Sequence, residues 1–128
     1  MNKYLNKHSF ENNKNFKDSI NIDKSQIPDL IVSKLKNGEI KKIILTGMGT
    51  CYTAAVAISL YMRSRLKEYL PFLLVEPHVA SEGSGFYLKP DMRDTVVIII
   101  AQSGTTVDTN IFAQKAKDRG AKTIAIAN

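Results

Sequence analysis

Two short stretches carry the side chains best suited to chemistry. Gly47-Met48-Gly49-Thr50-Cys51-Tyr52 and Gln102-Ser103-Gly104-Thr105-Thr106 each gather hydroxyl, thiol or amide groups around glycine. Each follows an apolar run, Ile43-Ile44-Leu45 in the first case and Val96-Val97-Ile98-Ile99-Ile100 in the second. A turn that opens a helix adds backbone N–H donors and the positive end of the helix dipole. The chemistry that suits such groups is the grip of an anion, above all phosphate, which takes several donors converging on one point. Hydroxyl residues at a helix start are also ordinary caps, and for either turn alone that reading is equally good. Two such turns opening on one sheet edge favour a ligand.

The elements that must hold these turns follow from periodicity. Ile27, Leu30, Ile31 and Leu35 have helical spacing, with Ser25 as a cap, Pro28 in the first turn and Asn37-Gly38 as the stop. Lys41–Thr46 reads as a strand, 47–52 as a turn, and Thr53 to about Leu70 as a helix stopped by Pro71. The nearly all-apolar first half of that helix is expected to be deeply packed. Phe72–Glu76 is a second strand, and 77–89 is irregular or a short broken helix. Pro90–Asp94 is a polar lead into a third strand from Thr95. A helix follows the second polar turn, with Thr105 and Asp108 as a capping-box-like pair, an apolar face of Val107, Ile111 and Ala116, and Gly120 as its stop. Lys122–Ala127 is a fourth, buried-type strand.

Strands alternating with helices demand a parallel sheet with right-handed crossovers. The expected class is α/β, a three-layer, doubly wound, flavodoxin-like sandwich. Because the order ends on a strand with no helix after it, the domain is read as incomplete at its C-terminal side. Residues 1–22 hold six Asn and four Lys with no lasting period, and are expected to form a flexible arm before a domain over 23–128. Ligands of open α/β sheets bind beyond the carboxyl ends of the strands, where both polar turns would lie.

Composition narrows the partners. The net charge is +6, of which residues 1–42 contribute +4, nine Lys against five acids. No Lys/Arg run is interleaved with aromatics, so nucleic acid is not an expected partner. No stretch approaches membrane-spanning length, and the N-terminus lacks a signal-type apolar core, so a cytoplasmic location without membrane contact is expected. A single cysteine, Cys51, excludes an internal disulfide framework. No Cys/His cluster has metal-ligand spacing, so no metal and no cofactor are expected. His78 is read as a surface loop residue. A dinucleotide site is the nearest rival: Gly47-Met48-Gly49 begins like its glycine fingerprint and Glu76 could meet a ribose. Tyr52 stands where the third glycine of that fingerprint belongs, which weighs against it.

The motifs Gly47–Tyr52, Ala80-Ser81-Glu82, Gln102–Thr109 and Ile124–Asn128 resemble the sugar isomerase (SIS) domain family. Their order and spacing are most like the first of two such domains in the isomerase half of the glutamine–fructose-6-phosphate aminotransferases. The resemblance covers about Ser25 to the end. It implies a hexose-6-phosphate ligand and a part in a phosphosugar isomerase or aminotransferase system that converts fructose-6-phosphate to glucosamine-6-phosphate. By that resemblance Gly49, Thr50 and Cys51 match the first sugar- and phosphate-contacting turn. Gln102, Ser103, Gly104, Thr105 and Thr106 match the phosphate turn, and Glu82 is a possible accessory group. Ala101 stands where a serine is common, and Thr105 where a glutamate is frequent. The family's proton-transfer groups belong to a region this chain does not contain, so no catalytic residue is assigned. A non-catalytic sugar-phosphate sensor and a truncated remnant are the alternatives. The unfinished sheet edge and the apolar early helix imply a homo-oligomer or a second SIS-containing chain as partner.

Overall fold

The computed structural model describes residues 28–82, 88–102 and 107–127. Contacts divide the chain into two units, residues 1–32 and 33–128. The elements are α1 (Asp29–Lys36), β1 (Lys42–Gly47), α2 (Thr50–Leu66), β2 (Leu74–Val79), β3 (Thr95–Ala101), α3 (Val107–Asp118) and β4 (Lys122–Ala127). Ser25, Ile27 and the expected arm lie outside the described residues.

The four strands form one parallel sheet in the order β2-β1-β3-β4. The chain steps one way from β1 to β2, then crosses back to β3 and on to β4. With right-handed crossovers, that reversal puts the connecting helices on opposite faces. Alternation along β3 shows both faces at work. Ile99 and Ala101 line a groove with α3, while Ile100 lines a cleft with Ala54 of α2. The core on the α3 side joins Ile44, Val97, Ile99, Phe112, Ala116 and Ala121. The expected three-layer α/β architecture is therefore the observed one.

Several boundaries and faces differ from expectation. Strand β2 runs on through Pro77 to Val79. Proline is tolerated because, among the described residues, β2 is an edge strand with β1 as its one neighbour. Met92, in the polar lead to β3, is only 2% exposed and belongs to the core. The buried face of α3 is Thr109, Phe112 and Ala116, whereas Val107 and Ile111 are exposed. Positions 109, 112, 113 and 116 also satisfy the helical period, and Phe112 has the larger surface to bury. Strand β4 is more exposed than expected: Ile126 is 53% exposed, and among the described residues β4 pairs with β3 alone. Leu30 is exposed while Ile31 is buried.

Helix α2 departs furthest. It is apolar on nearly every side, yet only Ala55 and Ser59 are buried, and Leu60 and Tyr61 are 57% and 65% exposed. It starts at Thr50, not Thr53, and ends at Leu66, before Pro71 is reached. Two glycine stops behave as the residue type predicts. Gly38 (φ +78°) and Gly120 (φ +95°) close α1 and α3 with paired hydrogen bonds: Glu39 N–H to Lys34 O with Gly38 N–H to Leu35 O, and Ala121 N–H to Ala116 O with Gly120 N–H to Lys117 O.

Candidate functional site

In a sheet ordered this way, the point where the winding reverses lies between β1 and β3, and their carboxyl ends leave a crevice there. Gly47 shapes it. A Cβ placed on Gly47 would lie 2.9 Å from the Cys51 carbonyl carbon, 2.9 Å from Cys51 Cβ and 2.9 Å from Ile100 O. Only glycine lets the first turn of α2 and the end of β3 close on the end of β1. Gly47 thus serves close approach between protein segments. Gly49 supplies the turn, with φ +57° and ψ −124°, a region that side chains rarely enter. A Cβ there would meet nothing within 4 Å, so its outer side faces open space.

The polar turn is consequently shorter than 47–52, because Thr50, Cys51 and Tyr52 already belong to α2. Cys51 N–H donates to Met48 O, and Thr53 N–H donates to Gly49 O. No side chain caps the helix, and its first turn holds no acidic residue. The positive end of α2 therefore has no counter-charge of its own there.

Two adjoining cavities open at this rim. One, of about 420 Å³, is lined by Thr50, Cys51, Ala54, Ile100, Ala101, Gln102, Ile126 and Ala127. The other, of about 290 Å³, shares Thr50, Cys51 and Gln102 and reaches Met48, Gly49 and Thr109. They are lobes of one cleft, of a size that suits a small metabolite. Gly49, Thr50, Cys51 and Gln102, expected from two separate turns, are thus brought together. Ser103, Gly104, Thr105 and Thr106 lie outside the described residues. Glu82 is exposed, in a helical turn over residues 80–82, and does not line either lobe.

Residues at the rim beyond the expected set are Met48, Ala54, Ile100, Ala101, Thr109, Ile126 and Ala127. The last two were accessible to reasoning, since β4 ends at the same edge as β1 and β3. Thr109 needed the true face of α3. Just below the rim, Thr46 is fully buried, and its hydroxyl has no hydrogen-bond partner among the described residues.

The titratable groups lie elsewhere. His78 is not a loop residue but part of β2, and its Nε2 lies 3.0 Å from Glu76 Oε2. Lys42 Nζ lies 3.2 Å from the same oxygen. Burial raises the Glu76 pKa, but the hydrogen bonds from His78 and Lys42 outweigh it and hold the carboxyl below its ordinary value. Glu76 is thus committed to a cluster on β2 and β1, which removes the acid the dinucleotide reading needed. Among the described residues, no group of three His, Cys, Asp or Glu could hold a metal ion, and no helix is long and apolar enough to cross a membrane.

Residues 39–128 match the SIS domain family. The chain is 34% identical to the glutamine–fructose-6-phosphate aminotransferase of Clostridium tetani over 104 residues, which are 80% of this chain and 16% of that protein. It is 42% identical to the corresponding enzyme of Thermococcus kodakarensis over 91 residues, 68% of this chain and 14% of that one. It therefore spans under a fifth of the length of these relatives. A candidate phosphosugar isomerase of Clostridium difficile 630 superposes with a TM-score of 0.60 at 27% identity, covering 77% of this chain and 29% of the other. The C-terminal domain of the Francisella tularensis glucosamine–fructose-6-phosphate aminotransferase shares the fold, with a TM-score of 0.60 at 20% identity over 81% of this chain and 29% of that one.

Proposed function

Because the chain belongs to the SIS domain family, we propose that it binds a phosphorylated hexose in the cleft where β1 and β3 end. The supporting observation is the convergence of Thr50, Cys51 and Gln102 on one cavity beside an uncapped helix start. In this reading the phosphate is held by the Thr50 hydroxyl, the first-turn amides of α2 and the turn Gln102-Ser103-Gly104-Thr105-Thr106. The sugar extends towards Cys51 and Gly49, where the open side of the glycine leaves room. Relatives that are glutamine–fructose-6-phosphate aminotransferases favour fructose-6-phosphate or glucosamine-6-phosphate as the ligand.

The role is binding rather than turnover by this chain alone. Among the described residues, those lining the cleft include no histidine, lysine or carboxylate. An isomerase needs a positioned acid or base within hydrogen-bond reach of the proton it moves. Conversion of the sugar would draw that group from another segment or chain. Used without one, the same grip would make a sensor of sugar phosphates.

Thermal shift and calorimetry with fructose-6-phosphate, glucosamine-6-phosphate, unphosphorylated fructose and inorganic phosphate test the reading. Both sugar phosphates should stabilise the chain, by about 2.7 kcal/mol at a hundredfold excess over Kd. Fructose should not. The double variant Ser103→Ala with Thr106→Ala should bind at least about tenfold more weakly, the loss of one or more charge-assisted hydrogen bonds. Equal binding by that variant would end the phosphate assignment.

A further inference from the structure

The cleft lies at the carboxyl ends of the strands. At their amino ends there is another cavity, of about 320 Å³, where the end of α1, the connection to β1 and the lead into β3 meet. Among the described residues it is lined by Lys34, Glu39, Asp91, Arg93 and Asp94, every one of them charged. Its volume is at the small end of the range for ligand pockets.

Backbone hydrogen bonds pin its walls. Lys34 O accepts from Glu39 N–H and Ile40 N–H, at 2.9 and 3.2 Å, and Asp94 O accepts from Lys41 N–H and Lys42 N–H, at 2.8 and 3.3 Å. Three lining residues each precede a buried one in the chain. Glu39 stands before Ile40, Asp91 before Met92 and Asp94 before Thr95, and these neighbours are 0%, 2% and 1% exposed. The charged groups are therefore anchored by the core beneath them.

Two of the five charges are matched to each other. Arg93 gives Nε and Nη2 to the Asp91 carboxylate, with Nη2 2.7 Å from Oδ2, and its Nη1 makes no hydrogen bond among the described residues. Asp94 Oδ1 accepts from Thr95 Oγ1 at 2.9 Å, which leaves Oδ2. Lys34, Glu39 and Asp94 line the same cavity, yet none of them forms an ion pair among the described residues. Opposite charges that share a cavity without touching leave a gap that one ligand carrying both signs would bridge. An anion alone would meet three carboxylates. A cation alone would meet Lys34 and Arg93, and among the described residues no group of three His, Cys, Asp or Glu could hold a metal ion.

The structure assigns to this cavity a small zwitterion, a free α-amino acid. Its ammonium sits between Glu39 and Asp94, and its carboxylate meets the Lys34 ammonium and Arg93 Nη1, all charge-assisted contacts. No apolar side chain lines the cavity among the described residues, so recognition rests on the two charged groups that every amino acid shares. The cavity shares no residue with the cleft, from which the six residues of β1 separate it by about 20 Å. The inference therefore stands apart from the sugar-phosphate reading.

An NMR titration of the full chain with L-serine, in low salt where screening is weakest, tests it. Saturable shifts at the amides of residues 34, 39 and 91–94 should give a Kd on the order of 1 mM, reasonable for so small a ligand. N-acetylserine, which lacks the ammonium, and serine methyl ester, which lacks the carboxylate, should each bind at least about tenfold more weakly. L-serine should bind Lys34→Gln and Glu39→Gln at least about tenfold more weakly too, with unchanged circular dichroism, because Lys34 is half-buried and Glu39 exposed. No saturable binding of L-serine up to about 50 mM would overturn the proposal. So would a methyl ester or an N-acetyl derivative that binds as tightly as serine, which would leave a site for one charge only. Serine affinity indifferent to both variants would overturn it as well.

Discussion

At one edge of the sheet β2 carries Pro77, which is unable to donate to a further strand, and Glu76 and His78, which form an ion cluster with Lys42 of β1. Arg63, from the last turns of α2, donates its Nε–H to Val75 O of the same strand. At the other edge β4 begins with Lys122, its one charged residue, and goes on through Thr123, Ala125, Ile126 and Ala127, all exposed and none charged. Proline and charge are the usual devices that keep an edge from pairing. The contrast separates an edge marked by proline and ion pairs from one that is mostly uncharged and exposed. The cleft lies towards this second edge, since Ile126 and Ala127 line it.

The seam between the two halves should be the most sensitive point. Gly47→Ala pushes a methyl group against backbone atoms of Cys51 and Ile100 at 2.9 Å, and neither can move without shifting a strand or helix. The expected cost is about 2–3 kcal/mol, seen as a lower urea midpoint. A variant as stable as the parent would show that the halves are not locked there.

The closed edge should respond next. Glu76→Gln keeps the shape but leaves Lys42 and His78, only 14% and 12% exposed in their side chains, without the carboxylate. Since Glu76 itself is a third exposed, about 1–2 kcal/mol is expected rather than the larger cost of a fully buried pair. The acid profile supplies a second measure. The folded-state pKa of Glu76 is lowered, so its contribution is complete above its unfolded value of 4.5 and is lost as pH falls through the folded value. Urea midpoints between pH 6 and pH 3 should fall less steeply in the variant. Parallel profiles would remove the cluster from the account of this edge.

The open edge should respond least. Ile126→Thr should change stability by no more than about 0.5 kcal/mol, since the side chain is half exposed already. A loss of several kcal/mol would mean that β4 is a covered core strand, and the contrast between the edges would fail.

The sheet, its parallel sense and the approach of Gln102 to the Gly49–Cys51 stretch at one rim were legible from the sequence. Strand–turn–helix repeats with short connections admit few topologies, and the side-chain period announces each strand. Gly38 and Gly120 were readable as helix stops because each needs a positive φ. What the letters left undecided was which apolar residues meet the sheet. Ala54 and Leu60 are both apolar positions on α2, yet one lines the cleft and the other faces outward. A helix that is apolar all round carries no mark of its inner side, and only its packing on β1, β2 and β3 chose one. His78 and Glu76 likewise looked like a loop residue and a ribose acid until pairing with β1 carried the strand past Pro77 and placed Lys42 beside them. Local chemistry sets where the backbone turns. Which groups meet across elements depends on distances that exist only once the sheet has formed.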